Sequence, residues 1–180
     1  MVPDPDCGAG FILADRAMLN LDMSTAKPTL ITVPNKPNGK GGWFTKKRVQ
    51  VSWDTTDPES PIESTDGCDP ITVTEEGTTT FTCSVVSGGG PGSTTAKIKH
   101  DTKKPKKPKV KVIRDGASYS AGQLPSARKV KKCKSKDKTS GVKSCKVKGF
   151  TSSPGRHELK ATATDKAGLK SKRTVSYRVR

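Results

Sequence analysis

The chain has 180 residues, of which 30% are hydrophobic and only 4% aromatic, which excludes one large, deep core and suits one or two thin domains. Its formal net charge is +17, with 34 Lys+Arg against 17 Asp+Glu, so anionic partners belong among the functional classes to weigh. No stretch approaches the ~18 consecutive apolar residues of a membrane span, and no spanning segment is expected.

Taken in chain order, residues 1–28 resist assignment. No Lys or Arg precedes Cys7, and the apolar run Ala9 to Ala14 is shorter than the ~7–15 residues of a signal-sequence core. Phe11 to Met23 reads either as a short amphipathic helix or as the last strands of a preceding domain. The second reading is preferred; it would give Cys7 a partner and make the chain part of a longer protein.

Residues 29–101 carry the alternation of strands. Val49-Gln50-Val51-Ser52-Trp53, Phe81-Thr82-Cys83-Ser84-Val85 and Ala96-Lys97-Ile98-Lys99 each place apolar side chains on one face. Turns are expected at Pro37 to Gly42 and, as a hairpin loop, at Ser87 to Ser93. Residues 102–109 read as a Lys/Pro linker. Pro105 and Pro108 favour an extended polyproline-II path spanning at most ~25 Å, a semi-rigid hinge. Alternation resumes over residues 110–180 at Val110/Val112, Cys145/Val147, Leu159/Ala161/Ala163 and Val175/Tyr177/Val179, with turns at Ser152 to Arg156 and Asp165 to Gly168.

The two halves differ in charge but share a pattern. Residues 1–100 hold nine Lys+Arg and twelve Asp+Glu, net −3, whereas residues 101–180 hold 25 and five, net +20. Yet Asp57 to Ser64 and Asp137 to Ser144 both read D-x-x-S-x-[I/V]-x-S, about 80 residues apart. Gly77, Phe81, Cys83 and Val85 match Gly155, Leu159, Ala161 and Ala163, and Trp53 matches Cys133. The expected architecture is all-β: two tandem β-sandwiches, each of about seven short strands.

Cysteine usage fits this division. None of the five cysteines forms a CxxC pair, and only His100 and His157 could complete a mixed site, so the zinc-ligand spacings are absent. Two structural disulfides, Cys68–Cys83 and Cys133–Cys145, are the simplest account, each contributing ~3 kcal/mol by loop closure and pointing to an oxidising compartment. Four buried free thiols are the alternative.

At these residues the chain resembles the tandem immunoglobulin-like (Ig-like) modules of bacterial secreted and cell-surface proteins. The first copy carries the pattern in Pro37-Asn38-Gly39, Gly42 to Thr45, Val49, Val51, Trp53, Asp57 to Ser60, Gly67-Cys68 and Thr82-Cys83. The second carries it in Asp115 to Tyr119, Gly122, Cys133, Asp137, Ser140-Gly141, Ser144-Cys145, Val147, Gly149, Gly155, His157, Leu159, Ala161 to Asp165 and Ala167-Gly168. The resemblance covers about residues 29–180. It implies two Ig-like β-sandwiches joined by the Lys/Pro linker, in modules that serve as spacers, adhesive stalks and enzyme accessories. The second copy departs from it in its lysine load, where relatives usually carry Thr, Ser or Ala.

The lysines are the main chemical signal. A generic solvated surface accounts for many of them, but +20 on one small domain exceeds what solubility needs. Lys103, Lys104, Lys106, Lys107, Arg128, Lys129, Lys131, Lys132, Lys134 and Lys136 are the candidates for contact with anionic surface polymer or acidic polysaccharide. Non-specific binding of nucleic acid is also open, but no helix-turn-helix, zinc-finger or RNA-recognition signature is present. Asp54, Asp57, Glu59 and Asp66 could gather around Ca²⁺, although Asx-turn capping explains Asp57 without a metal. Neither metal nor cofactor is expected, and neither histidine stands in a nucleophile motif. The expectation is a non-catalytic spacer or adhesive module of a secreted or wall-associated bacterial protein, with neighbouring domains in a longer chain. The alternative is a cationic protein that captures extracellular nucleic acid or acidic polysaccharide.

Overall fold

The computed structural model describes residues 22–180. Cys7 and most of Phe11 to Met23 lie outside the described residues, and with them the readings made of that segment.

The described chain is nearly all β, as its alternation requires. The strands are β1 (Thr29–Val33), β2 (Trp43–Phe44), β3 (Val49–Asp54), β4 (Ile62–Asp66), β5 (Ile71–Val73), β6 (Gly77–Ser87), β7 (Gly90–His100), β8 (Lys109–Val110), β9 (Ala117–Tyr119), β10 (Cys133–Lys134), β11 (Val142–Lys148), β12 (Gly155–Asp165) and β13 (Lys170–Val179). Between β9 and β10 lie a 3₁₀ turn, Ala121–Gln123, and a one-turn helix α1, Ala127–Val130. The Ser87 to Ser93 loop is tighter than its composition suggests: only Gly88 and Gly89 separate β6 from β7.

The sheet orders repeat. One four-stranded sheet runs β2-β7-β6-β4 and the other β9-β13-β12-β11; the smaller sheets are β1-β3-β5 and β8-β10. In both large sheets the first strand pairs in parallel with the long C-terminal strand, Trp43 with Lys99 in one and Tyr177 with Ala117 in the other. The edge pairings break register at matching places, between Ile62 and Ser64 and between Val142 and Ser144. Each break falls just after the shared D-x-x-S turn, so one local sequence produces one local distortion twice.

The described residues group into two compact units, one of residues 22–32, 51–71 and 80–96, the other of residues 33–50, 72–79 and 97–180. The first unit has a small apolar cluster of Ala26, Cys83 and Val85, flanked by Trp53, Ile62 and Cys68. Its entering segment, residues 22–28, is pressed against β7: a Cβ at Gly92 would stand 1.8 Å from the Ala26 carbonyl oxygen, so only glycine permits this approach. The second unit has the larger core, in which Ile113, Val130, Val147, Leu159, Ala161, Val175, Tyr177 and Val179 meet side chains from β8, β9 and β10. Leu159, Ala161 and Ala163 are fully buried while Lys160 between them is exposed, the period of two that the sequence shows.

Both expected disulfides form, Cys68–Cys83 and Cys133–Cys145, with Cα–Cα distances of 4.6 and 5.6 Å. They staple different things. Cys68 follows β4 and bonds to β6 of the same sheet, whereas Cys133 on β10 bonds to β11 of the other sheet.

Where the Lys/Pro composition suggests a hinge, the chain is seated. Pro105 and Pro108 are buried while Lys103, Lys104, Lys106, Lys107 and Lys109 are exposed, the three-residue period of a polyproline-II segment laid on a surface. Its backbone is tied at Lys106, whose N–H donates to the Lys136 carbonyl at 2.8 Å and whose carbonyl accepts from Ser171 Oγ at 3.1 Å and from Ser135 Oγ.

Candidate functional site

That seating gathers lysines from three segments. A cavity of about 590 Å³ is rimmed by Lys106, Lys107, Lys109, Lys111, Lys134 and Lys136, with Val142 and the Cys133–Cys145 disulfide on its floor. A neighbouring one of about 460 Å³ shares Lys111 and Lys134 and adds Lys129, Lys131 and Lys132 from the end of α1. Seven of the ten candidate residues thus converge on the half-buried disulfide. Lys103, Lys104 and Arg128 are exposed but line neither cavity.

A second basic surface was not among the candidate residues. On the outward face of the β11-β12-β13 sheet, Lys148 lies directly opposite Lys160, and Arg156 directly opposite Arg178. Lys146 and Lys172 flank Thr162 on the same face. Like charges directly opposite on a sheet are destabilising. The signal was present in the alternation of the sequence, but which lysines face each other depends on register, which alternation does not specify.

The aromatic side chains of this unit serve the core. Tyr177 is buried, stacks on Phe150 at 6.2 Å between centroids, and its hydroxyl donates to the Thr151 carbonyl at 2.7 Å. The Tyr119 hydroxyl accepts from the Arg114 N–H at 3.0 Å. Both histidines are occupied by backbone carbonyls. His157 Nε2 lies 2.7 Å from the Ser153 oxygen, and buried His100 places Nδ1 2.9 Å from the Glu75 oxygen and Nε2 2.7 Å from that of Lys46.

The acidic residues bear out the turn-capping expectation for Asp57. Asp57 does cap its turn: its Oδ1 accepts from the Glu59 and Ser60 N–H groups at 2.9 and 3.3 Å and from Ser24 Oγ at 2.8 Å. The Glu59 amide, then the Ser87 and Ser24 hydroxyls, hold its carboxyl down at about 2. Glu59, like Asp57, accepts from Ser24, but among the described residues Asp54, Asp57, Glu59 and Asp66 form no close carboxylate group. Instead, among the described residues, Asp101, Asp137 and Asp165 come together, each offering an oxygen within 4.8 Å of the others.

Each of the three is held by backbone. Asp101, at the end of β7, accepts from the Lys103 N–H at 3.0 Å and the Ser140 N–H at 3.2 Å. Asp137 Oδ1 accepts from the Thr139 and Gly141 N–H groups, at 3.2 and 2.9 Å, repeating the Asp57 turn. Asp165, the last residue of β12, accepts from the Leu169 N–H at 2.8 Å through Oδ1, while its buried Oδ2 has no partner. Asp101 and Asp165 are fully buried and Asp137 is half-buried. Burial above all, and then the charges of Asp101 and Asp137, push the Asp165 carboxyl above the usual carboxylate range.

No protein-family model matches this chain, and no curated protein is significantly similar to it. Among the described residues no helix is long and apolar enough to cross a membrane.

Proposed function

We propose that the chain belongs to a secreted or cell-wall-associated bacterial protein in which tandem Ig-like modules act as a non-catalytic spacer or adhesive stalk, the basic module contacting anionic surface polymer. The repeated sheet order and the two disulfides support tandem modules in an oxidising compartment. The observation that carries the polymer contact is the pairing of like charges, Lys148 against Lys160 and Arg156 against Arg178. A repeating anion neutralises such a face and removes the repulsion that folding creates. The lysine-rimmed cavities beside the Cys133–Cys145 disulfide extend the same field.

The second reading is capture of extracellular nucleic acid or acidic polysaccharide. Its nucleic-acid arm is weakened by the engagement of Tyr177 and Phe150 in the core, which leaves little surface for base stacking. Titration of the full chain with a teichoic-type polyphosphate, a sulfated polysaccharide and DNA over a salt series separates these readings. Micromolar binding of polyphosphate at about 0.15 M salt, falling log-linearly as salt rises, is expected. Tighter binding of DNA or polysaccharide at that salt favours capture, and no binding even at low salt leaves a bare spacer.

A further inference from the structure

We propose that Asp101, Asp137 and Asp165 form a binding site for one calcium-sized divalent cation. Residues 101–180 contain only five acidic side chains, and three of them meet here although they lie far apart in sequence. Gathering three carboxylates, two of them fully buried, leaves like charges facing each other with no apolar gain. Asp165 Oδ2 is buried and accepts no hydrogen bond; Asp22 Oδ2 and Asp57 Oδ2 of the first repeat share that state, and what sets this cluster apart is that three carboxylates meet in it.

The geometry suits an oxygen-liganded ion. Oxygens on opposite sides of one Ca²⁺ stand up to ~5 Å apart, against ~4 Å around Mg²⁺, and the three donors here lie within 4.8 Å of one another. The backbone N–H groups of Lys103, Ser140, Thr139, Gly141 and Leu169 hold the carboxylates in place; the accepting oxygens of Asp101 and Asp165 each keep a second lone pair, and Asp137, whose Oδ1 takes two N–H groups, keeps Oδ2. Half-buried Asp137 leaves an approach for the ion and for the waters that complete its shell. The surrounding lysines oppose a cation at long range, but that field is screened beyond ~8 Å at physiological salt.

The first repeat supplies an internal control. Asp22 and Asp57 occupy the places of Asp101 and Asp137 in the repeated pattern, but Ser87 ends β6 where Asp165 ends β12. There the Ser24 hydroxyl bridges the two Oδ1 atoms, at 2.9 Å from Asp22 and 2.8 Å from Asp57, while both Oδ2 atoms are buried without a partner. In the second repeat Lys103 stands at that position, so no hydroxyl bridges, and a third carboxylate is present.

The test uses the chelator-stripped full chain, titrated with CaCl₂, MgCl₂ and, by luminescence, Tb³⁺. One saturable equivalent of Tb³⁺ displaced by Ca²⁺ is expected, with a Tm rise of about 3–8 °C at about 10 mM Ca²⁺ and a smaller one with Mg²⁺. Asp165→Ser, which installs the residue of the first repeat, should fold by circular dichroism and bind at least tenfold more weakly. Asp137→Asn, at the half-buried position, keeps the turn acceptor and should weaken binding similarly if Asp165→Ser fails to fold. Absence of saturable binding and of any Ca²⁺-dependent Tm change in the unaltered chain would overturn the proposal, and so would undiminished binding in a folded variant.

Discussion

The two repeats carry one frame and use it differently. In the first, the turn after β3 and the end of β6 meet as Asp57 and Ser87, and the Glu59 amide with the Ser87 and Ser24 hydroxyls holds the Asp57 carboxyl. In the second, the equivalent ends are Asp137 and Asp165, and a fully buried Asp101 joins them. The staples diverge as well, within one sheet in the first repeat and between sheets in the second. The frame tolerates these changes because the sheet ladders are main-chain bonds, whereas each end is a local matter of which side chains face inward.

The largest expected contrast lies in the cores. Leu159→Ala, at a fully buried position, should cost about 2–5 kcal/mol in denaturant melts. Phe81→Ala, at the matching but partly exposed position, should cost clearly less; equal losses would break the comparison. Next are the staples. Replacing Cys133 and Cys145 together by Ala should remove about 3 kcal/mol, with a similar figure for Cys68 and Cys83, because the sequence separations of 12 and 15 residues are alike.

Smaller still is the charge on the outer sheet face. Lys148→Glu turns a like pair with Lys160 into an opposite pair and should stabilise by about 0.2–1 kcal/mol while weakening polyanion binding. A variant that is stabilised but binds unchanged would detach the face from the polymer. The smallest effect is at Asp57, whose carboxyl is held at about 2. Because that lies below the unfolded value of about 3.9, its contribution to stability is present above pH 4 and is lost as pH falls towards 2. A carbon-detected NMR titration checks this, and a midpoint near 4 would show that the turn does not hold the charged form.

Much of the fold was legible because its signals are local. Alternation in Val49 to Trp53 and Leu159 to Ala163 marks buried strand faces within a few residues. The shared D-x-x-S turns located the repeat, whereas the register breaks that follow them emerged only with the strand pairing. The cysteine pairs were legible because each lies within one repeat. The seating of the Lys/Pro stretch was not, because lysine and proline describe a free polyproline-II linker as well as a docked one. Docking rests on partners at Ser135, Lys136 and Ser171 that no local pattern reveals. Residues 22–28 were missed for the same reason, since Ala26 is buried by contacts with Cys83 and Val85 of β6 and by the close approach to Gly92 of β7.

What the sequence by itself determined is therefore the strand content, the repetition, the cysteine pairing and the division of charge. These follow from neighbours in the chain, where period and turn chemistry act. Only the tertiary structure decided which lysines oppose one another and which carboxylates meet. Asp57 stood out in the sequence as the acidic member of a cluster, yet the cluster that forms is Asp101, Asp137 and Asp165. The physical reason is that a strand end, a turn and the exit of another strand converge only when the sheets close, and closure is directed by the apolar faces, not by the charges it brings together.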